Sequence, residues 1–383
     1  MSILYNKRFR DIMSQLLVVI GLVLFIWHIM SNLQHNIEIR GITTGLGFFS
    51  DKAGFGISES PIAYSEDSTY FRAFLVGLTN TIYVSFVGIF FASIIGVLVG
   101  VGRLSKNFLI AKLSLFYVEF FRNIPLLLQI LFWYNVVLAA LPSPKQSIQL
   151  ASSMFLNNRG FYIPKPVFES NFTFVIIAFV LAIALVIYLK KWAVNRFYET
   201  GQEFPVLITS IAILILLPLI TYFIVGSPIS FDNPVLRGFN FRGGMSYSPE
   251  FLALTFALSV YTASLVAEAV RSGIEAVQKG QKEAAASLGL TPYQSLKFIV
   301  LPQAIRIAIP PILGQFLNLI KNSSLATAIG YPELVTVFSG TVLNQTGQAI
   351  EIIAITMAVY LTISLFVSFI LNIVNKKLAI KER

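Results

Sequence analysis

Eight long apolar stretches follow one another along this chain, and no soluble fold has enough interior to bury them all. Their cores run from Leu16 to Met30, Thr79 to Val101, Asn123 to Leu141, Phe172 to Leu189, Phe204 to Val225, Phe251 to Ala267, Ile307 to Ile329 and Ile352 to Val374. A helix rising about 1.5 Å per residue needs about 20 residues to cross ~30 Å of hydrocarbon, so the short first and sixth cores need helical flanks. A β-barrel would alternate apolar and polar residues instead. The chain therefore reads as an all-α polytopic membrane protein with about eight transmembrane helices.

Lys and Arg set the orientation, because short loops rich in them stay in the cytoplasm. With the N-terminus inside, eighteen basic residues fall on the inner side and eight on the outer side. The inner set begins with Lys7, Arg8 and Arg10, includes Arg103 and Arg271, and ends with Lys376, Lys377, Lys381 and Arg383. Both termini are expected in the cytoplasm. The same distribution explains the net charge of +10, since the cations are spread over several loops and not gathered on a nucleic-acid-binding face. The first apolar stretch follows a basic segment, as in a signal peptide. However, Ser31–Gln34 offers no small-x-small cleavage site, so an uncleaved helix is expected.

The eight cores contain no Asp or Glu, whereas ion-coupled carriers usually hold such groups in the membrane. Glu119 and Arg122, at i and i+3 beside the third core, are expected to pair with each other. No G-x-x-x-x-G-K-[ST] loop is present to cradle phosphates. With no cysteines and only His28 and His35, neither a metal site nor a catalytic constellation is expected, and no cofactor. No enzyme activity is expected of the chain, and if it transports, the energy comes from another subunit.

One polar segment stands out, Glu268 to Arg306 between the sixth and seventh cores. Glu275 to Leu288, rich in Ala, Glu, Gln and Lys, predicts a helix that Gly289 ends in the left-handed conformation. Thr291 predicts a cap for a second helix with Pro292 at its first position.

Within that segment Glu283, Ala284 and Ala285, then Gly289, then Ile299, Leu301 and Pro302 fit E-A-A-x(3)-G-x(9)-I-x-L-P at every fixed position. The segment resembles the EAA loop of ABC importer permeases, and the resemblance implies that these seven residues couple to a cytoplasmic ATPase. Glu268–Gly273 with Lys279–Gln281, Tyr117–Gln129 and Lys321–Leu325 are similar to the polar amino acid branch. That branch implies a five-helix core, here the second, third, sixth, seventh and eighth helices. Three helices are extra, one N-terminal and two in an insertion. The outer-loop sequences Gly54–Ser60 and Phe155–Gly160 resemble those of general L-amino-acid permease subunits.

The resemblance implies four parts: residues 1–72 as the extra N-terminal helix and outer loop, 73–141 and 251–383 as the core with the coupling loop at 268–306, and 142–250 as the insertion. It also implies a bacterial inner-membrane location and several partners. These are a second, homologous permease subunit forming a heteromeric pair with this chain, a cytoplasmic ABC ATPase, a periplasmic solute-binding protein and an amino-acid substrate. The alternative on the residues alone is a secondary amino-acid transporter or channel without an ATPase.

Helical spacing would place Glu119, Arg122, Leu126, Gln129 and Trp133 on one face of the third helix, and Gln315, Asn318 and Asn322 on one face of the seventh. Two such polar stripes line a path for a zwitterion or hydrogen-bond between helices. Lys321, a cation inside a helix, either meets a substrate carboxylate, snorkels outward or pairs with a neighbouring subunit. Gly96 and Gly100 predict a close helix crossing on the second helix.

Overall fold

The computed structural model describes residues 7–41 and 44–378. The terminal Lys381 and Arg383, counted above among the inner cations, lie outside the described residues, as do the first six residues. The side chains of Lys7, Arg8 and Lys377 also lie outside that description. The helices are α1 (Lys7–Arg40), α2 (Tyr70–Gly102), α3 (Phe108–Asn123), α4 (Leu126–Phe132), α5 (Phe172–Thr200), α6 (Val206–Ile224), α7 (Pro249–Glu275), α8 (Lys279–Ser287), α9 (Pro292–Ser295), α10 (Leu301–Asn322), α11 (Leu343–Thr346) and α12 (Ala349–Leu378). The chain divides into two compact units, residues 1–133 with 253–383 and residues 134–252.

Among the described residues, seven helical spans are long and apolar enough to cross a membrane, and an eighth is formed if a bent pair counts as one. The short first and sixth cores do gain helical flanks, in the 34 residues of α1 and the 27 of α7. The third core departs from expectation. α3 and α4 meet at an angle of 100°, so Asn123 to Leu141 is not one straight helix. Pro125 is the cause: it lacks an N–H and pushes Ile124 into extended backbone, at φ −98° and ψ 128°.

In the first unit, α2 packs on α10 and on the wide helical turn Val335–Val342, which also contacts α12. The loop after α1 folds back on this core through an aromatic cluster. Phe48 and Phe49 meet Phe338 with ring centres 6.3 and 5.7 Å apart, and Phe74 lies 5.0 Å from Phe338. Asn80 of α2, fully buried, donates to the carbonyls of Glu59 and Pro332 and so fixes this loop to the segment before the Val335 turn.

Within the second unit α5 and α6 pack against each other as a hairpin. Short strands surround them in sequence, which the helical reading did not include: β1 (Ile148–Ala151), β2 (Met154–Asn157), β3 (Gly160–Ile163), β4 (Lys165–Phe168), β5 (Ile229–Asp232), β6 (Val235–Arg237), β7 (Asn240–Arg242) and β8 (Met245–Tyr247). β1, β2, β3 and β8 form an antiparallel sheet in that order, while β4 pairs with β5 and β6 with β7. Phe241 stacks 4.6 Å from Phe155 and 4.9 Å from Tyr162, whose hydroxyl donates to Asn240. These runs are three or four residues long, too short for alternation to be read from sequence alone.

Candidate functional site

The polar segment between α7 and α10 folds as two short helices about a sharp turn. α7 continues to Glu275 and the chain then leaves the helix at Ala276–Gln278, so the expected single helix from Glu275 to Leu288 is in fact the end of α7, a break, and α8. The break has a packing reason: it lets Val277 turn inward, where it is buried with Val300 and Ala304 beside Ile274. Gly289 then takes φ +76° and ends α8. Its N–H donates to the carbonyl of Ala286, and that of Leu290 to Ala285, which satisfies the carbonyls a helix end leaves free. Thr291 caps α9 through a reciprocal pair of bonds with Gln294, and Pro292 is in the first turn.

α8 packs against the wide turn Leu296–Val300, which runs directly into α10. Of the seven residues in the E-A-A…G…I-x-L-P pattern, Ala285 is buried and Ile299 half-buried; Glu283, Ala284, Gly289, Leu301 and Pro302 are exposed. Around them stand large apolar side chains without cover, Leu288 at 80%, Tyr293 at 69% and Phe298 at 59% exposure. An inner row thus anchors the segment while an outer row is left for contact with another surface.

The second predicted region divides. Because the chain bends at Pro125, Glu119 and Arg122 lie on α3 and Leu126 and Gln129 on α4, so the one-face stripe from Glu119 to Trp133 does not form. Arg122 pairs with Glu119 at 3.8 Å, the pairing expected from their spacing. Gln129 is buried, and its amide nitrogen donates to the carbonyls of Phe121 and Ile124, each at 2.9 Å. It closes the carbonyls that the bend leaves open and shapes the corner.

On α10 the second stripe holds together. Asn318 donates to Gln315 at 3.4 Å, and Asn322 ends the helix. Lys321, exposed, makes no ion pair among the described residues and lines a cleft of about 360 Å³ with Ser324, Val335, Thr356, Met357 and Tyr360. Behind this cleft lies a group that the sequence reading missed. Glu333, fully buried, accepts from the N–H groups of Val335 and Thr336 at 2.9 and 2.8 Å, from the Thr336 hydroxyl, and from Tyr360 at 3.1 Å. It falls between the seventh and eighth apolar cores. The available signal was a lone carboxylate within the apolar run from Ala326 to Val342.

The profile of one family, described as "Binding-protein-dependent transport system inner membrane component", matches residues 189–380. Similarity to individual proteins extends over the whole chain. It is 50% identical to the general L-amino acid transport system permease protein AapQ of Rhizobium johnstonii, covering 100% of this chain and 95% of that protein. The chain belongs to this family. It is likewise 49% identical to the putative amino-acid ABC transporter permease protein YhdX of Escherichia coli, covering 99% and 96% of the two chains. To the glutamate/glutamine/aspartate/asparagine transport system permease protein BztB of Rhodobacter capsulatus it is 36% identical, covering 100% and 96%. The family member described here is therefore a multi-pass membrane transport subunit of the ABC permease type.

Proposed function

We propose that this chain is the permease subunit through which an ABC importer moves amino acids across the bacterial inner membrane, powered by a separate cytoplasmic ATPase. The observation that carries the reading is the coupling segment: a seven-position motif on two short helices about Gly289, with Leu288, Tyr293 and Phe298 left uncovered. Three relatives named as amino-acid permeases, similar over the full length, support the substrate class.

In this reading residues 73–141 and 251–383 form the pore half, with 1–72 and 142–250 as additions. A homologous second permease chain completes the pore, and a periplasmic solute-binding protein delivers the substrate. Glu283, Ala284, Ala285, Gly289, Ile299, Leu301 and Pro302 present the ATPase contact on the cytoplasmic side, where both termini also lie. The path runs past Gln315, Asn318, Lys321 and Asn322. Lys321, in no ion pair among the described residues and beside a cleft lined with hydroxyls, suits the carboxylate of an amino acid. Arg122 borders the path through its pair with Glu119, and Gln129 contributes by holding the corner of the bent pair.

The test is purification through a tag on this chain followed by reconstitution in liposomes with ATP and the binding protein. ATP-dependent uptake of radiolabelled L-glutamate, L-alanine or L-arginine is the expected result. Recovery without any ATPase subunit, together with uptake driven by an ion gradient, would assign the chain to a secondary transporter. For orientation, cysteines placed singly at Ser287, Ser50 and Ser147 are labelled with an impermeant reagent on spheroplasts. Positions 50 and 147 should label, and labelling at 287 would reverse the topology.

A further inference from the structure

Three helices meet backbone to backbone where α7 leads into the coupling segment. A Cβ added to Gly96 of α2 would stand 2.6 Å from Val266 Cβ, and one on Gly100 would stand 2.8 Å from the carbonyl oxygen of Ala267. About two turns farther along α7, a Cβ on Gly273 would stand 2.8 Å from Ala308 Cβ of α10. Seams of small residues bring helices close but leave few side chains to block sliding along the axis. Just beyond the α2 seam, charged side chains supply that block. Arg103, which follows α2, pairs through Nη1 with Oε2 of Glu268 on α7. Arg271, one turn on, reaches the same carboxylate with Nη2 at 2.5 Å and Nε at 3.4 Å, and turns Nη1 to Glu275, the last residue of α7.

One carboxylate is thus shared between guanidiniums from two helices. The Arg103 side chain is only 13% exposed and that of Glu268 29%, so solvent and salt screen the pair less than they would at an open surface. Arg103 also places a cation at the C-terminal end of α2, where the helix dipole favours it. The connection runs without a gap from α2 through Glu268, Arg271 and Glu275 to the Ala276–Gln278 break and α8.

We propose that Glu268 is a positioning residue: its bridge to Arg103 fixes the register of α7 on α2, so that a displacement of α8 moves both helices together. The inference rests on reading α8 and α9 as the ATPase-coupling segment. The tests are Glu268→Gln and Arg103→Gln in the whole complex, with the binding protein and liposomes, reading uptake of radiolabelled L-glutamate, L-alanine and L-arginine alongside ATP hydrolysis. Both variants should reach the membrane at normal abundance, because the glycine seam remains. They should keep basal hydrolysis yet lose its stimulation by the loaded binding protein, so that ATP used per amino acid imported rises about tenfold. Arg103→Lys, which returns a cation to α2, should recover part of the coupling, and Glu275→Gln, which leaves the Arg103 bridge intact, should keep the normal ratio. An unchanged ratio in both Gln variants overturns the proposal. So does their joint absence from the membrane while Glu275→Gln is present, since the bridge would then serve folding. If the unaltered complex itself shows no ATP-dependent uptake, the coupling reading fails; if it transports normally and only the ratio in the variants stays unchanged, the role of Glu268 alone falls.

Discussion

α1 and α7 are both long enough to cross a membrane, yet 72% of the apolar stretch of α7 is buried within the protein and none of that of α1. The buried helix is the less apolar of the two. Thr255, Ser259, Thr262 and Ser264 of α7 are buried along with Ala253, Ala257, Ala263 and Ala267, whereas α1 exposes Leu17, Val18, Phe25 and Trp27. In water the order would be reversed. Lipid is as apolar as leucine, so bulky side chains gain nothing by leaving it, and helices that pack do so through small residues and hydroxyls. Ser259 of α7 shows both devices: its hydroxyl donates to Thr255 at 2.6 Å and lies 3.4 Å from the carbonyl of Gly88.

The sharpest way to break this comparison is to enlarge a glycine on each kind of helix. Gly96→Leu on α2 places side-chain atoms where Val266 already stands, and overpacking of this kind costs about 1–3 kcal/mol or more. Membrane abundance and the Tm of the solubilised complex should both drop. Gly21→Leu on α1 meets nothing within 4 Å and should leave both unchanged. Equal losses at the two positions would mean that α1 is packed as tightly as α2.

A second substitution separates packing from transmission. Gly289 has φ +76° with open space around its missing Cβ, so Gly289→Val meets no clash but pays roughly 1–2 kcal/mol of backbone strain. The strain falls on the turn between α8 and α9, outside the buried seams. Uptake should be abolished while abundance stays normal, measured by transport assay and immunoblot. Normal uptake in this variant would remove α8 and α9 as the coupling segment.

Gln129→Leu is expected to act more weakly. It removes the donor to the carbonyls of Phe121 and Ile124 at the bend, worth about 1–3 kcal/mol where such groups are left unpaired. A lower Tm with partial uptake is the expected result, and an unchanged Tm would show that Pro125 alone sets the bend. The smallest effect should come from Lys321→Met, since Lys321 is exposed and makes no ion pair among the described residues. Stability should not change, while competition assays should show acidic and neutral substrates losing ground to basic ones. Identical preferences would return Lys321 to an outward-snorkelling role.

Apolar run length and small-residue spacing gave the spans and the Gly96–Gly100 crossing because each depends on neighbours along the chain: the solvent a helix can enter and the face on which it is smooth. The turn at Gly289 and the cap at Thr291 were legible for the same reason, being local backbone requirements. The seven motif residues were likewise visible as a pattern, although their division into buried Ala285 and exposed Glu283 and Leu301 was not. Tertiary structure decided the rest. It bent the third span at Pro125, assigned Gln129 to the corner and ended α7 where Val277 found a buried site. It also closed the shell of donors around Glu333 and brought Arg103 to Glu268 across 165 positions of sequence. Helical periodicity assumes that the helix continues and that a polar group's partners lie within a turn or two; a proline corner breaks the first condition, and a buried carboxylate satisfied by distant residues breaks the second.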